Sequence, residues 1–314
     1  MAISAPINQP APFAEEDASA YTKNTVWRRF RKHKLAMAGA IVLLLMVLIA
    51  VFAHQLAPYD PNGIDEVHWQ GNPLPPCFQD SVQCGGHSLG TDENGRDLLS
   101  RLMFGARISL TVGVAAVIME LFIGTLLGAV AGYYGGWIDY IIMRLTDVFL
   151  SIPLLPLLLT LTGIVAASSS KASLGFGVIV VIIGALSWPG VARLVRASYL
   201  SLREREYTEA ARALGNGDGR IMLRHLLPNA IAPIIVQATL DVANVIVLES
   251  TLSFLGFGIQ PPTASWGNML ANAESNLEIA WWAAVFPGLC ILVTVLAINY
   301  IGDGLRDALD PNMR

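Results

Sequence analysis

Six apolar runs, each long enough to cross a lipid bilayer, divide this chain, and few folds can accommodate that many. A hydrocarbon core of about 30 Å takes about 20 apolar residues in a helix, because every backbone polar group has to be satisfied within the segment. The runs are Leu35 to Ala53, Ile108 to Ala131, Tyr140 to Thr162, Leu174 to Leu194, Ala230 to Leu255 and Ile279 to Ile301. With 54% hydrophobic and 14% charged residues in 314, and a mean hydropathy of +0.54, the chain is too apolar for a soluble domain. An all-α integral membrane protein with six transmembrane helices is expected. The first run begins too late and lacks a small-residue cleavage site, so it reads as a retained helix and not a signal peptide.

Charge sets the expected orientation. The cluster Val26 to Lys34, VWRRFRKHK, precedes the first run, and the positive-inside rule places such a cluster in the cytoplasm. Alternation from there puts both termini inside, with fifteen of the twenty Lys and Arg on that side. A net charge of −4 leaves no basic face for nucleic acid. Residues 1–26 read as a disordered cytoplasmic tail rich in Ala, Pro and acids. Residues 27–57 form the basic segment and first span, and 58–105 an exterior loop. The end of that loop, Asp97 to Phe104, has the pattern of a short interfacial helix. A five-helix transmembrane domain spans 106–303, including a polar connection over 199–228, and 304–314 form a cytoplasmic tail.

The polar connection is the most specific part of the chain. Between Glu206 and Pro228 it reads EYTEAARALGNGDGRIMLRHLLP. Glu206 to Leu214 is a good helix former, and Gly215 stands where a C-terminal cap with positive φ is needed. Asn216-Gly217-Asp218-Gly219 is turn chemistry with its glycines outside either helix. Asp218 is able to cap a second short helix, and Ile221, Met222 and Leu226 supply its apolar stripe. Two short helices at an angle are expected, forming a rigid knob.

Charges inside spans face protein or an aqueous path. Glu120, Asp147, Asp241 and Glu249 are of this kind. Asp147 has Arg144 three residues earlier on its own helix face, which predicts a local ion pair. Asp241 and Glu249 are eight residues apart, on similar faces of one helix. They, with Glu120, either line a pathway or bond between helices, and a proton relay is a third option. In QPPTASWGNML, Pro261, Pro262 and Trp266 form either an interfacial anchor or an exterior docking or gating loop. Cys77 and Cys84 share the exterior loop, where a disulfide and two free thiols are both open. No phosphate-binding glycine loop, hydrolase or zinc motif occurs in the sequence, so neither an ATP site of this chain's own nor a metal site is expected.

These segments agree with one family. Glu209-Ala210-Ala211, Gly215 four residues on, then Leu227-Pro228, resemble the signature loop of ABC importer membrane subunits, with His225 as a departure. LAPYDP, LGTDENGRDLLSRLMFGARISL, AGYYGG, MRLTD, LSFLGFGIQPPTASWG and GDGLRDALDP narrow the resemblance to C-type permeases of dipeptide and oligopeptide importers, a group that includes nickel and glutathione permeases. The resemblance implies a type I ABC importer permease fold with a cytoplasmic coupling-helix loop in a bacterial or archaeal cytoplasmic membrane. It also implies a B-type permease partner, two cytoplasmic ATPases carrying ATP and Mg, an extracytoplasmic substrate-binding protein, and no cofactor on this chain. Glu209 to Gly215 would enter a groove on one ATPase. A secondary transporter driven by an ion gradient at Asp241 and Glu249 is the rival class, and it leaves the knob unexplained. A membrane enzyme lacks any nucleophile or metal constellation.

Overall fold

The computed structural model describes residues 23–69, 71–79, 83–168 and 175–309. The expected disordered tail up to residue 22, Lys171 and the last five residues, Pro311 among them, lie outside the described residues. Twelve α-helices follow in order. They are α1 (Lys23–Lys32), α2 (Lys34–Val51), α3 (Ala53–Leu56), α4 (Leu98–Tyr134), α5 (Gly136–Ser151), α6 (Leu154–Ser168), α7 (Phe176–Leu202), α8 (Glu206–Ala213), α9 (Asp218–Arg220), α10 (Leu227–Phe254), α11 (Trp266–Ala273) and α12 (Trp281–Leu309). A π-helical turn, Ile221–Leu226, joins α9 to α10.

Among the described residues five helical segments are long and apolar enough to span a membrane, and α5 with α6 forms an apolar pair bent by 85°, a sixth if the pair counts as one span. The third apolar run is therefore not one straight helix. Pro153 lacks a donor and pushes the preceding residue out of the helical region, and Ile152 is extended (φ −95°, ψ 127°). The expected interfacial helix over Asp97 to Phe104 is also corrected. It forms the first turns of α4, with Leu98 and Arg101 each 1% exposed. Asp97 caps α4 by accepting from the Ser100 N–H, and no breaker separates it from Ile108, so the helix runs on.

Glycines set how closely α4 is packed. A Cβ at Gly124 would fall 2.6 Å from Val191 Cβ, one at Gly132 2.6 Å from Tyr199 Cβ, and one at Gly128 would collide with the Ala192 carbonyl. These contacts advance together along α4 and α7, so the two helices are parallel. Against α10 the order reverses: Ser109 meets Glu249, and Gly113 meets Ile246. The start of α2 packs on the end of α12, Ala36 against Gly304 and Gly39 against Ala297. This layering brings α4, α7 and α10 around one interior.

The glycine seam yields a direct test. Lipid gives helices no hydrophobic drive to associate, so close van der Waals contact carries the pairing. Gly128→Val is expected to destabilise the α4 and α7 pair by about 1–3 kcal/mol, the usual cost of overpacking. Gly177→Ala, which would meet nothing within 4 Å, should stay near wild type. Unfolding of the purified protein in mixed micelles measures both.

Candidate functional site

The polar connection forms a knob at the end of the bundle where α4 and α7 finish. In α8, Thr208 and Ala211 face inward, and the Thr208 hydroxyl donates to the Leu202 carbonyl at 2.9 Å. Glu209 and Ala210 face out. Tyr207 and Leu214 are exposed as well, Leu214 at 83%, with Leu223 nearby in sequence at 67%. The helix ends as a Schellman motif: Gly215 N–H donates to Arg212 O and Asn216 N–H to Ala211 O. Gly215 has φ +77° with open space around it, so its backbone angle alone demands glycine.

The second half of the knob departs from expectation. Gly217, not Asp218, is the N-cap of α9, and Gly219 is already helical. The Asp218 carboxylate is engaged elsewhere, accepting from the Tyr133 hydroxyl of α4 at 2.7 Å. The following residues form no separate helix, because the π-turn carries the backbone through Leu227 and Pro228 into α10. Ile221 and Leu226 are fully buried among Tyr133, Val195 and Tyr199, and the Tyr199 hydroxyl donates to Met222 O at 3.0 Å. Arg203 donates to the Gly132 and Tyr133 carbonyls at the end of α4. The knob is thus bonded to α4, α7 and α10 at once.

A cavity of about 470 Å³ opens between these three helices and the α5/α6 break. Its polar wall includes Glu120 on α4, Ser187 on α7 and Gln237, Asp241 and Asn244 on α10; its apolar wall includes Phe149, Ile152, Pro153 and Pro189. Glu120 and Asp241 both line this space, and the Gln237 amide donates to both Asp241 oxygens at 2.9 and 3.1 Å. Glu249 does not reach the cavity. It is fully buried and accepts from the Ser109 hydroxyl at 3.2 Å and the Ser253 hydroxyl at 2.7 Å. Asp147 likewise differs from expectation: its partner is Arg193 of α7, while Arg144 donates to Tyr140. The α5 helix is held to α7 a second time through Arg196 and Asp139.

At the opposite end, the described residues between 57 and 97 fold into a cap. Cys77 and Cys84 are joined by a disulfide with Cα atoms 4.9 Å apart. Buried His87 lies between Asp97 (2.8 Å) and Asp65 (3.2 Å), with the Tyr59 ring 4.6 Å away. The hydrogen bond to Asp97 lifts the His87 pKa against the opposing effect of burial. Burial opposes ionisation of Asp65, yet bonds from His68 and His87 bring it down to about 2, and Asp97 is lowered in the same way by His87 and Ser100. Trp282 of α12 donates to the Thr91 carbonyl. Pro261 and Pro262 are exposed at this end. Trp266 is neither an anchor nor a docking residue on this chain: it is fully buried against Gly105, and its indole donates to Leu102 O at 3.2 Å.

Residues 124–314 match the family described as binding-protein-dependent transport system inner membrane component. Residues 24–76 match the N-terminal TM domain of oligopeptide transport permease C. The chain is 40% identical to the Dipeptide transport system permease protein DppC of Alkalihalophilus pseudofirmus, covering 98% of this chain and 97% of that one. It is 44% identical to the Di/tripeptide transport system permease protein DppC of Pseudomonas aeruginosa, covering 92% and 91%. Against the Glutathione transport system permease protein GsiD of Escherichia coli, identity is 42% over 96% and 95%. The permease fold is shared with an inward-facing MetNI methionine ABC transporter structure at TM-score 0.53, 19% identity, and coverage of 68% and 96%.

The cap has a predictable pH window. The raised His87 contributes stability that is complete below its unfolded pKa of about 6.5 and lost as pH rises through its higher folded value. The lowered Asp65 and Asp97 contribute above about 4 and lose this as pH falls through their folded values. Proteolysis of the 59–97 segment in the solubilised protein should therefore be slowest near pH 5–6 and accelerate on the alkaline side. His87→Gln should flatten that alkaline rise.

Proposed function

This chain belongs to the family of binding-protein-dependent transport inner membrane components, the permease subunits of ABC importers, and on that premise we propose that it carries di- or oligopeptides. It pairs with a B-type permease, is driven by two ATPases that hold ATP and Mg, and receives its solute from an extracytoplasmic binding protein. The observation that carries this reading is the junction of knob and cavity through shared helices. Glu120, Pro189 and Asp241 line the cavity on α4, α7 and α10, and the knob is bonded to those same three.

In this reading the basic N-terminus, the knob and the C-terminus are cytoplasmic, following the positive-inside rule. The outward apolar side chains Tyr207, Leu214 and Leu223 form a surface suited to a protein groove. Glu209 and Ala210 stand beside it. When the ATPases close, they displace the knob as a body, since the Schellman cap and the bonds from Tyr133, Tyr199 and Arg203 leave it no independent freedom. The three helices move with it, and the cavity changes the side to which it opens. The chain supplies no hydrolytic chemistry of its own.

A peptide fits the lining. Gln237 and Asn244 offer amide donors and acceptors to a peptide backbone, and the acids face the same space. The relatives' dipeptide, di/tripeptide and glutathione substrates share an amide backbone. A nickel cargo finds no His or Cys on this cavity wall. The half-exposed pair Asp147 and Arg193 supports a second permease here, because charge facing lipid within a span is costly. Pro261 and Pro262 are proposed to meet the binding protein.

Two variants test the coupling. Affinity purification from native membranes should recover the ATPases with wild type and lose them with Glu209→Lys, while the second permease stays. Gly215→Val, which forces a β-branched residue to positive φ, is expected to reduce ATP-dependent peptide uptake at least about tenfold, the counterpart of 1.4 kcal/mol. Gly215→Asn should retain most transport, since asparagine visits this region. Uptake that survives loss of the ATPases would instead favour a gradient-driven transporter.

A further inference from the structure

The N-terminal helix α1 has two unlike faces. Phe30, 7% exposed, and Val26 pack against Ala36, Leu305 and Ala308, seating α1 on the end of α12. The other side presents Trp27, 57% exposed, with Arg28, Arg31 and Lys32. Trp27 stacks on Phe30 with ring centroids 6.1 Å apart, so the indole is held out rigidly. Among the described residues no carboxylate forms an ion pair with Arg28, Arg31, Lys32 or Lys34.

The position of α1 relative to a bilayer follows from its neighbour. The chain breaks at His33 (φ −81°, ψ 97°), whose ring accepts from the Ala36 N–H, so α1 does not continue α2. The 18 residues of α2 span about 27 Å, close to the thickness of the hydrocarbon core. Leu35 and Ile41 are already 54% and 55% exposed, so the lipid-facing surface starts at the first turn of α2. The break therefore marks the membrane boundary, and α1 lies at the depth of the headgroups.

We propose that the Trp27, Arg28, Arg31 and Lys32 face of α1 is a docking surface for anionic phospholipid headgroups. An interfacial helix with an aromatic anchor and clustered cations binds a negative leaflet through partitioning of the ring and charge attraction together. Beside that face is a cleft of about 280 Å³ between α1 and α12, lined by Arg29, Lys32, His33, Asp307 and Ala308. His33 Nε2 stands 3.8 Å from Asp307. The cleft gives a headgroup room next to the basic face. Because Phe30 ties α1 to α12, lipid bound here bears directly on the end of a membrane-spanning helix.

The full-length chain in neutral detergent is titrated with phosphatidylglycerol and, in parallel, phosphatidylcholine of matched acyl chains, and bound lipid is counted by native mass spectrometry. Wild type should retain phosphatidylglycerol preferentially. Arg28→Gln/Arg31→Gln/Lys32→Gln should lower its affinity at least about tenfold with phosphatidylcholine unchanged. These side chains are exposed, so the variant should melt like wild type. In vesicles, brominated phosphatidylglycerol should quench emission that is missing in Trp27→Phe. Equal retention of both lipids, a triple variant that binds like wild type, or displacement by soluble glycerophosphate would overturn the proposal. So would a preference that emerges only after Glu15, Glu16 and Asp17 are neutralised, which would assign the face to the chain's own N-terminal segment.

Discussion

The close seating of α4 on α7 is the interaction on which the other features depend. In lipid no hydrophobic gain favours one helix pairing over another, so surface shape decides. Gly124, Gly128 and Gly132 recur every four residues along one stripe of α4 and let the α7 backbone come nearer than any side chain would permit. With α7 fixed, the opposite side of α4 is left to α10, where Gly113 accepts Ile246 and Ser109 donates to Glu249. The cavity is the space that remains where these two seams diverge around Glu120.

The polar groups within the spans separate into two kinds. Glu249 is surrounded by serines, and Asp139 and Asp147 meet arginines from α7, so each is satisfied by its own neighbours. Such groups join helices. Asp241 accepts from Gln237, yet it and Glu120 face open volume. The broken backbone at Ile152 and Pro153 faces that volume too, and irregular backbone at membrane depth is tolerated only against protein or an aqueous cavity. The cavity and the backbone break thus lie on the same side of α4.

Much of this was legible in the sequence, and three of the misreadings share a cause. The spans and the Gly215 cap follow from local pattern, because hydropathy and the sign of φ involve only nearby residues. Asp218, Asp147 and Trp266 were misread because each answers to a distant partner: Tyr133, Arg193 and Leu102 come from other helices. Pro153 was visible, but so were Pro189, Pro233 and Pro287, which remain inside continuous helices. Pro189 borders the same cavity as Pro153 and leaves its helix continuous, so a proline beside the cavity does not by itself break a helix. The glycine stripe was in the sequence as well, and its spacing of four was the available signal for the central contact.

The distribution of those prolines also bears on how motion passes through the molecule. Helices α7, α10 and α12 each contain a proline beyond the first turn, whereas α4 has none in its 37 residues. At 1.5 Å per residue α4 is about 55 Å long, well beyond the hydrocarbon core, so it emerges on both sides. At one end Asp97 is bound by His87 and the cap; at the other Tyr133 is bound by the knob. A helix without an internal breaker bends only gently, so a displacement applied at Tyr133 reaches Asp97 as a tilt about the glycine seam. The proline-bearing helices are able to flex beside it at the level of the cavity. On the transport reading proposed above, α4 would act as a stiff lever among proline-bearing neighbours, carrying movement from the knob toward the cap.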